Sequence, residues 1–201
     1  MTRWYKEKKR EHYYKEAKKH GYRARSAYKL KQIQKTFKII RQGDTILDLG
    51  AAPGGWSQVA KELVGDNGNV VGVDLSWINR LEGVTFLKGD MMEDATISSI
   101  KEVLDGKEVD VVLSDMSPNI SGNYSIDHAR SIFLSEQALN VANLLLKKNG
   151  CFICKVFEGE DLKDFSIKTK EFFKNVKINT PSASRKCSSE VYIIARFRQI
   201  S

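Results

Sequence analysis

Ile46-Leu47-Asp48-Leu49-Gly50-Ala51-Ala52-Pro53-Gly54-Gly55-Trp56-Ser57-Gln58 is the stretch that decides how this chain folds. A short apolar run ends in an acid and a leucine, and a glycine-rich turn then opens a helix. That is the strand, loop and helix start that hold a nucleotide-like ligand in an open α/β sheet. Glycines let the backbone pass close to such a ligand. The loop spells neither G-x-G-x-x-G nor G-x-x-x-x-G-K-[ST], so it is a poor dinucleotide fingerprint and not a phosphate cradle. An acid before the loop, with no lysine inside it, is unsuited to a polyphosphate. It suits a cationic ligand with an amino group and a sulfonium, such as S-adenosylmethionine (SAM). The alternative is an ordinary strand, turn and helix opened by Pro53-Gly54.

Working outward, strands and helices alternate for most of the chain. Apolar runs predict strands over Thr45–Leu49, Asn69–Asp74, Val84–Lys88, Val109–Ser114 and Cys151–Val156, and closing strands over Val176–Asn179 and Val191–Phe197. Helical spacing predicts helices over Ala24–Phe37, Gly55–Val64, Ile97–Leu104, Asp127–Lys147 and Leu162–Phe173. Alternation of this kind builds a mostly parallel, seven-stranded sheet with right-handed crossovers and helices on both faces. The last two strands have no clear helix between them, so one of them is expected to run antiparallel.

In open α/β sheets the ligand lies outside the carboxyl ends of the strands. Asp48 closes the first strand and Asp74 the second, where an acid can accept both hydroxyls of a ribose. Asp90 follows the third, where it can accept from an adenine amino group, and Asp115 follows the fourth. Each acid alone is a weak signal. The four together, with the glycine loop, indicate an adenosine-containing, cationic cofactor. Asp74 alone fits NAD equally well.

The 201 residues are enough for one substantial domain with its own core. No apolar stretch is long enough to span a membrane, and no secretory signal is visible at the basic N-terminus, so a cytoplasmic location is expected. Net charge is +8, unevenly spread: residues 1–40 hold 14 of the 33 lysines and arginines and 3 of the 25 acids, a local +11 that leaves −3 for the rest. Residues 1–22 read as a basic, RNA-contacting appendage and residues 23–201 as a single domain. A basic cluster beside a cofactor domain points to a polyanion, with nucleic acid foremost. Trp4, Tyr5, Tyr13, Tyr14, Tyr22 and Tyr28 interleave these charges. They can stack on unpaired bases or tie the segment to the domain. Cys151 and Cys154 lie three apart on a predicted strand and so face opposite ways. Cys187 stands alone, and His12, His20 and His128 have no ligand spacing, so no metal site is expected.

Read in order, LDLGAAPGGWSQ, VGVDL, LKGD, SDMSPNISG, KVFEGE and SSEVYIIA resemble the FtsJ/RrmJ family of RNA 2′-O-ribose methyltransferases, over about Tyr22 to Phe197. The resemblance implies a Rossmann-like SAM-dependent methyltransferase fold and a Lys-Asp-Lys-Glu catalytic group. Carried over by motif, that group is Lys29 in RSAYKL, Asp115 in SDMSPN, Lys155 in KVFEGE and Glu190 in SSEVY. The implied cofactor contacts are Gly54, Trp56, Asp74, Asp90 and Asp115. The compact chain resembles members that modify a uridine of large-subunit ribosomal RNA, which implies ribosomal RNA or the large subunit as partner and no metal. A monomer is the default expectation.

A ribose hydroxyl needs a base to become a nucleophile. No histidine is expected near a strand end on the active side, which leaves Lys155, competent only as the neutral amine. A low-dielectric site and neighbouring cations favour that form, whereas Asp115 and Glu190 favour the ammonium and orient it. Lys29 is expected to position the ribose or a phosphate. A base-nitrogen methyltransferase would need an Asn/Asp-Pro-Pro-aromatic grip, and Asp115-Met116-Ser117-Pro118-Asn119 has no aromatic beside Pro118. A cytosine-carbon enzyme would need a cysteine in that loop. Two alternatives stay open: a transfer-RNA 2′-O-methyltransferase, and a non-catalytic RNA-binding ribosome-assembly factor.

Overall fold

In the computed structural model, which describes residues 15–184 and 189–199, the strands form one seven-stranded sheet. Trp4, Tyr5, His12, Tyr13, Tyr14 and Cys187 lie outside the described residues. The elements run α1 (Ala27–Phe37), β1 (Thr45–Leu49), α2 (Gly55–Val64), β2 (Asn69–Asp74), β3 (Thr85–Lys88), α3 (Asp94–Leu104) and β4 (Val109–Ser114). They continue with α4 (Tyr124–Leu145), β5 (Leu146–Phe157), α5 (Leu162–Phe172), β6 (Phe173–Asn179) and β7 (Glu190–Arg198). In these labels the strand order is β3-β2-β1-β4-β5-β7-β6. Pairings from β3 through β5 are parallel. β7 slots antiparallel between β5 and β6. This is the mostly parallel sheet that the alternating pattern implied and the Rossmann-like architecture that the resemblance implied, with β7 as the reversed strand.

The central strands are buried on both faces, as a doubly covered parallel sheet requires. Leu47, Leu49, Val112, Phe152 and Ile193 pack on one side with α3, α4 and α5. Ile46, Val111, Leu113, Ile153 and Ile194 pack on the other with α1 and α2. Cys154 belongs to the first face and Cys151 to the second, so the pair is split across the sheet. Burial pushes the Cys154 thiol up to about 11, which leaves it inert at neutral pH.

Several boundaries differ from the sequence reading. α1 starts at Ala27 rather than Ala24, because residues 24–26 form tight turns whose carbonyls accept from Ala27, Tyr28 and Lys29. α3 starts earlier, at Asp94. α4 also starts earlier, at Tyr124, where the Asn123 side chain caps the helix by accepting from the Ser125 and Ile126 amides at 3.1 and 3.3 Å. α4 and α5 each pass into the next strand without a turn. Asn123→Ala is expected to cost about 1 kcal/mol of stability, the usual worth of such a cap. Denaturant melts would check this, and an unchanged midpoint would contradict it.

The segment before α1 rests on α2. Residues 15–19 are helical, Ala17 is buried, Tyr22 Oη donates to Glu62, and Gln58 donates to the Gly21 carbonyl. Among the described residues no helix is long and apolar enough to cross a membrane, and no cluster of His, Cys, Asp and Glu could hold a metal.

Candidate active site

The sheet reverses direction of winding between β1 and β4, and the crevice there is where such folds bind ligands. The glycine loop at the end of β1 builds one wall. Gly50 has φ +71°, and a Cβ there would sit 2.2 Å from Met116 Cγ, so only glycine lets the two loops meet. Gly54 caps α2 with φ +102° and contributes no side-chain cap. The Ser57 amide turns to the buried Asp48 carboxylate, and no cap side chain takes the Gly55 and Trp56 amides, the usual setting for an anionic group at a helix start.

The predicted cofactor residues separate into two kinds. Asp74 Oδ2 accepts from the Ala52 amide at 3.0 Å and Oδ1 from the Ser76 amide at 2.8 Å, tying the glycine loop to the turn after β2. Asp90 Oδ1 accepts from the Met92 amide at 2.9 Å, another local turn. Both carboxylates sit at the crevice end of their strands and keep lone pairs to offer. Trp56 is different. Its indole is 2% exposed, donates to the Ser26 carbonyl at 2.9 Å and stacks on Tyr192, so a ligand can meet only its backbone.

Asp48 also departs from the strand-end pattern. It is fully buried, accepts from Ser57 Oγ at 2.6 Å, and its Oδ1 has no hydrogen-bond partner. It fastens α2 to β1 from beneath the loop rather than lining the crevice. Burial pushes its carboxyl up to about 7, against the hydrogen bond from Ser57; the charges of Asp115 and Asp74 add to the rise. An acid raised on folding makes a stability contribution that is complete below its unfolded range, about pH 4, and lost as pH rises to about 7. Asp48→Asn cannot titrate and should remove that portion of the decline. Melts of both proteins between about pH 4 and 8 check this; parallel curves would contradict it.

Lys29, Asp115, Lys155 and Glu190 come together from α1, the end of β4, β5 and β7. Lys155 Nζ donates to the Asp115 carbonyl at 2.6 Å and lies 3.3 Å from its Oδ1. Lys29 Nζ pairs with Glu190 Oε2 at 2.7 Å. Both lysines are about 95% buried, being 4% and 5% exposed.

Tyr192 joins the two pairs and was missed from sequence. Its hydroxyl donates to Asp115 Oδ1 at 2.7 Å, and Lys29 Nζ stands 5.5 Å from its ring centre. Burial, reinforced by the Asp115 and Glu190 charges, raises its phenol well above the ordinary value, so it stays a proton donor. The signal was present: Tyr192 lies two residues beyond Glu190 on the same strand face and opposite Lys155. His128 is a second surprise, because it does reach the end of β5. Its Nδ1 lies 3.1 Å from the Phe157 carbonyl and its Nε2 accepts from the Asp161 amide at 3.2 Å.

The loop after β4 is drawn back to the start of α4. Asp127 Oδ1 accepts from the Ser121 amide and hydroxyl, and its Oδ2 from the Gly122 amide. Leu49 pairs with Ser114, so the glycine loop after β1 and Asp115 after β4 stand side by side at the carboxyl ends of the strands, with Lys155 of β5 bonded to Asp115.

The sequence profile of the FtsJ-like methyltransferases matches residues 22–198. A ribosomal RNA large subunit methyltransferase E of Methanothrix thermoacetophila is 52% identical over 187 residues, covering 93% of this chain and 72% of that protein. One from Methanocaldococcus jannaschii is 48% identical over 198 residues, covering 96% and 81%. Among solved structures, a Plasmodium falciparum protein described as a ribosomal RNA methyltransferase superposes with a TM-score of 0.81 at 26% identity, over 88% of this chain and 98% of that one.

Proposed function

The chain belongs to the FtsJ-like methyltransferase family, and from that premise we propose that it moves the methyl group of SAM to the ribose 2′-hydroxyl of a uridine in large-subunit ribosomal RNA. The observation that carries this reading is Lys155 held against Asp115 at the mouth of a glycine-walled crevice. The curated relatives' names supply the substrate class.

The crevice fits SAM. Gly50 lets the loops after β1 and β4 close together, the Gly55 and Trp56 amides at the start of α2 can meet a carboxylate, and Asp74 can accept from ribose hydroxyls. SAM supplies an activated methyl group when bound. The protein's share of the work is alignment and proton removal. Aligning the hydroxyl with the methyl group can lower a barrier by about 7–11 kcal/mol in favourable cases.

Lys155 acts as general base. As a neutral amine it has two N–H groups, which go to the Asp115 carbonyl and Oδ1. Its lone pair then remains for the ribose proton. Tyr192 pins Asp115 Oδ1 by donating to it, so the acceptor that orients the amine does not swing away. Burying Lys29 and Glu190 as a pair returns little net stability, since desolvation offsets the attraction. Their role on this reading is placement: Lys29 sets the ribose or its phosphate, and Glu190 holds Lys29. The basic segment over residues 1–22 is the RNA-contacting appendage, and the protein works as a cytoplasmic monomer.

Calorimetry with SAM and with NAD, followed by transfer of labelled methyl groups to large subunits, free ribosomal RNA and transfer RNA, tests this proposal. SAM binding with label on large-subunit RNA is expected. NAD binding in place of SAM would overturn the cofactor; label on transfer RNA alone would keep the chemistry and change the substrate. SAM binding with no transfer to any RNA would favour an assembly factor.

A further inference from the structure

β5 outruns β4. The last pair between them is Ser114 with Cys154, whereas β5 continues to Phe157 and stays paired with β7 through Lys155, Val156 and Phe157. Past Cys154, the backbone groups of β5 that face β4 have lost their strand partner. Buried peptide groups require replacements.

Those replacements come from one row of side chains on α4. His128, Ser131 and Ser135 lie at i, i+3 and i+7, which places them on a single helix face. Ser135 Oγ lies 3.1 Å from the Lys155 carbonyl and 2.8 Å from the Ser131 carbonyl, its one proton shared between them. Ser131 Oγ accepts from the Phe157 amide at 2.9 Å. His128 Nδ1 donates to the Phe157 carbonyl at 3.1 Å. All three side chains are buried. A carbonyl can only accept, so the Phe157 contact requires a proton on Nδ1. Nε2 lies 3.2 Å from both the amide and the carboxylate of Asp161, which ties the ring to the turn after β5.

The joint extends into the next turn. Tyr124 stacks on His128 and donates to the Glu158 carbonyl. A Cβ on Gly159 would stand 2.4 Å from His128 Nδ1, so the turn can close on the ring only with glycine there. This is also the place where Lys155 Nζ reaches back across the gap to Asp115, and where Phe157 stands opposite Glu190.

We propose that His128, Ser131 and Ser135 are positioning residues: they replace the missing strand beside the end of β5 and so set the reach of Lys155 to Asp115. The inference rests on the reading of Lys155 as the base. His128→Ala and Ser131→Ala are the variants to make, with His128→Asn as the conservative partner whose amide can still donate to the Phe157 carbonyl. Ser131→Ala removes a single oxygen and leaves no sizeable cavity, so it keeps the test open should His128→Ala fail to fold.

Two readouts are needed: steady-state methyl transfer, and the acetylation rate of Lys155 with acetic anhydride, followed by mass spectrometry without RNA or cofactor. The alanine variants should lose roughly 10- to 100-fold in kcat, as displacement of a reacting group by about an ångström can cause. SAM affinity and KM for RNA should stay near wild type, His128→Asn should recover most of the loss, and the Lys155 acetylation rate should change. Unaltered kcat and acetylation in folded variants would overturn the proposal, as would kcat and SAM affinity falling together with the melting midpoint. If the wild type transfers no methyl group, the functional reading fails by itself. The acetylation comparison still decides whether α4 places Lys155.

Discussion

Lys155→Ala is expected to slow methyl transfer by about 10²- to 10⁴-fold, the usual worth of a positioned general base, with SAM affinity essentially unchanged. The two halves of the result have separate structural causes. Lys155 touches Asp115 at the β4–β5 gap, whereas the glycine loop, Asp74 and the start of α2 stand on β1 and β2. Removing the amine takes away the lone pair that receives the ribose proton but leaves the crevice walls as they were. Tyr192 still anchors Asp115 from β7 in the variant. Single-turnover transfer with calorimetry in parallel reads both quantities. Turnover retained near the wild-type rate would remove Lys155 from this role.

Asp74→Ala should show the converse split: SAM binding weaker by about 100-fold, with the rate at saturating SAM near normal. The carboxylate accepts from the Ala52 and Ser76 amides, so it both shapes the glycine loop and offers charge-assisted acceptors to a ribose. Hydrogen bonds to a charged group contribute about 1.5–3 kcal/mol each, and about 2.7 kcal/mol corresponds to that 100-fold. Asp74→Asn keeps one acceptor oxygen and should lie between the two proteins. Calorimetry giving an unchanged SAM dissociation constant for Asp74→Ala would contradict the placement of the cofactor.

The elements nearest the site were legible because their sequence signals are local. β1, β2, β4 and α2 fall on the bounds expected from apolar runs closed by Asp or Gly. The start of β5, at Leu146 against the expected Cys151, is shifted furthest, and it lies at a joint that no residue marks. Leu145 passes from α4 into Leu146 of β5, and Phe172 from α5 into Phe173 of β6, with no glycine or proline between. Helix and strand periodicity cannot assign such apolar joints to either side.

The site was legible in a different way. Lys29 and Glu190 are 161 residues apart in sequence yet share a 2.7 Å ion pair, and no spacing argument brings them together. The family resemblance named them, and the sheet order explains why they meet. Composition and pattern also misjudged depth. Asp48, read at a strand end beside the ligand, turns inward to hold α2, while Tyr192, in a run that reads as plain strand core, carries a hydroxyl to Asp115. His128 escaped notice because two of its contacts, the Phe157 carbonyl and the Asp161 amide, are backbone groups, which have no signature in a sequence.

The most direct test of the central claim is the chemical position of the transferred methyl group. Large subunits lacking the modification are treated with the protein and methyl-labelled SAM, and the RNA is hydrolysed with alkali. Methylation of a ribose 2′-hydroxyl blocks cleavage at that nucleotide, so label should be found in one alkali-resistant dinucleotide carrying 2′-O-methyluridine. Label on a base, released in an ordinary mononucleotide, would contradict the account.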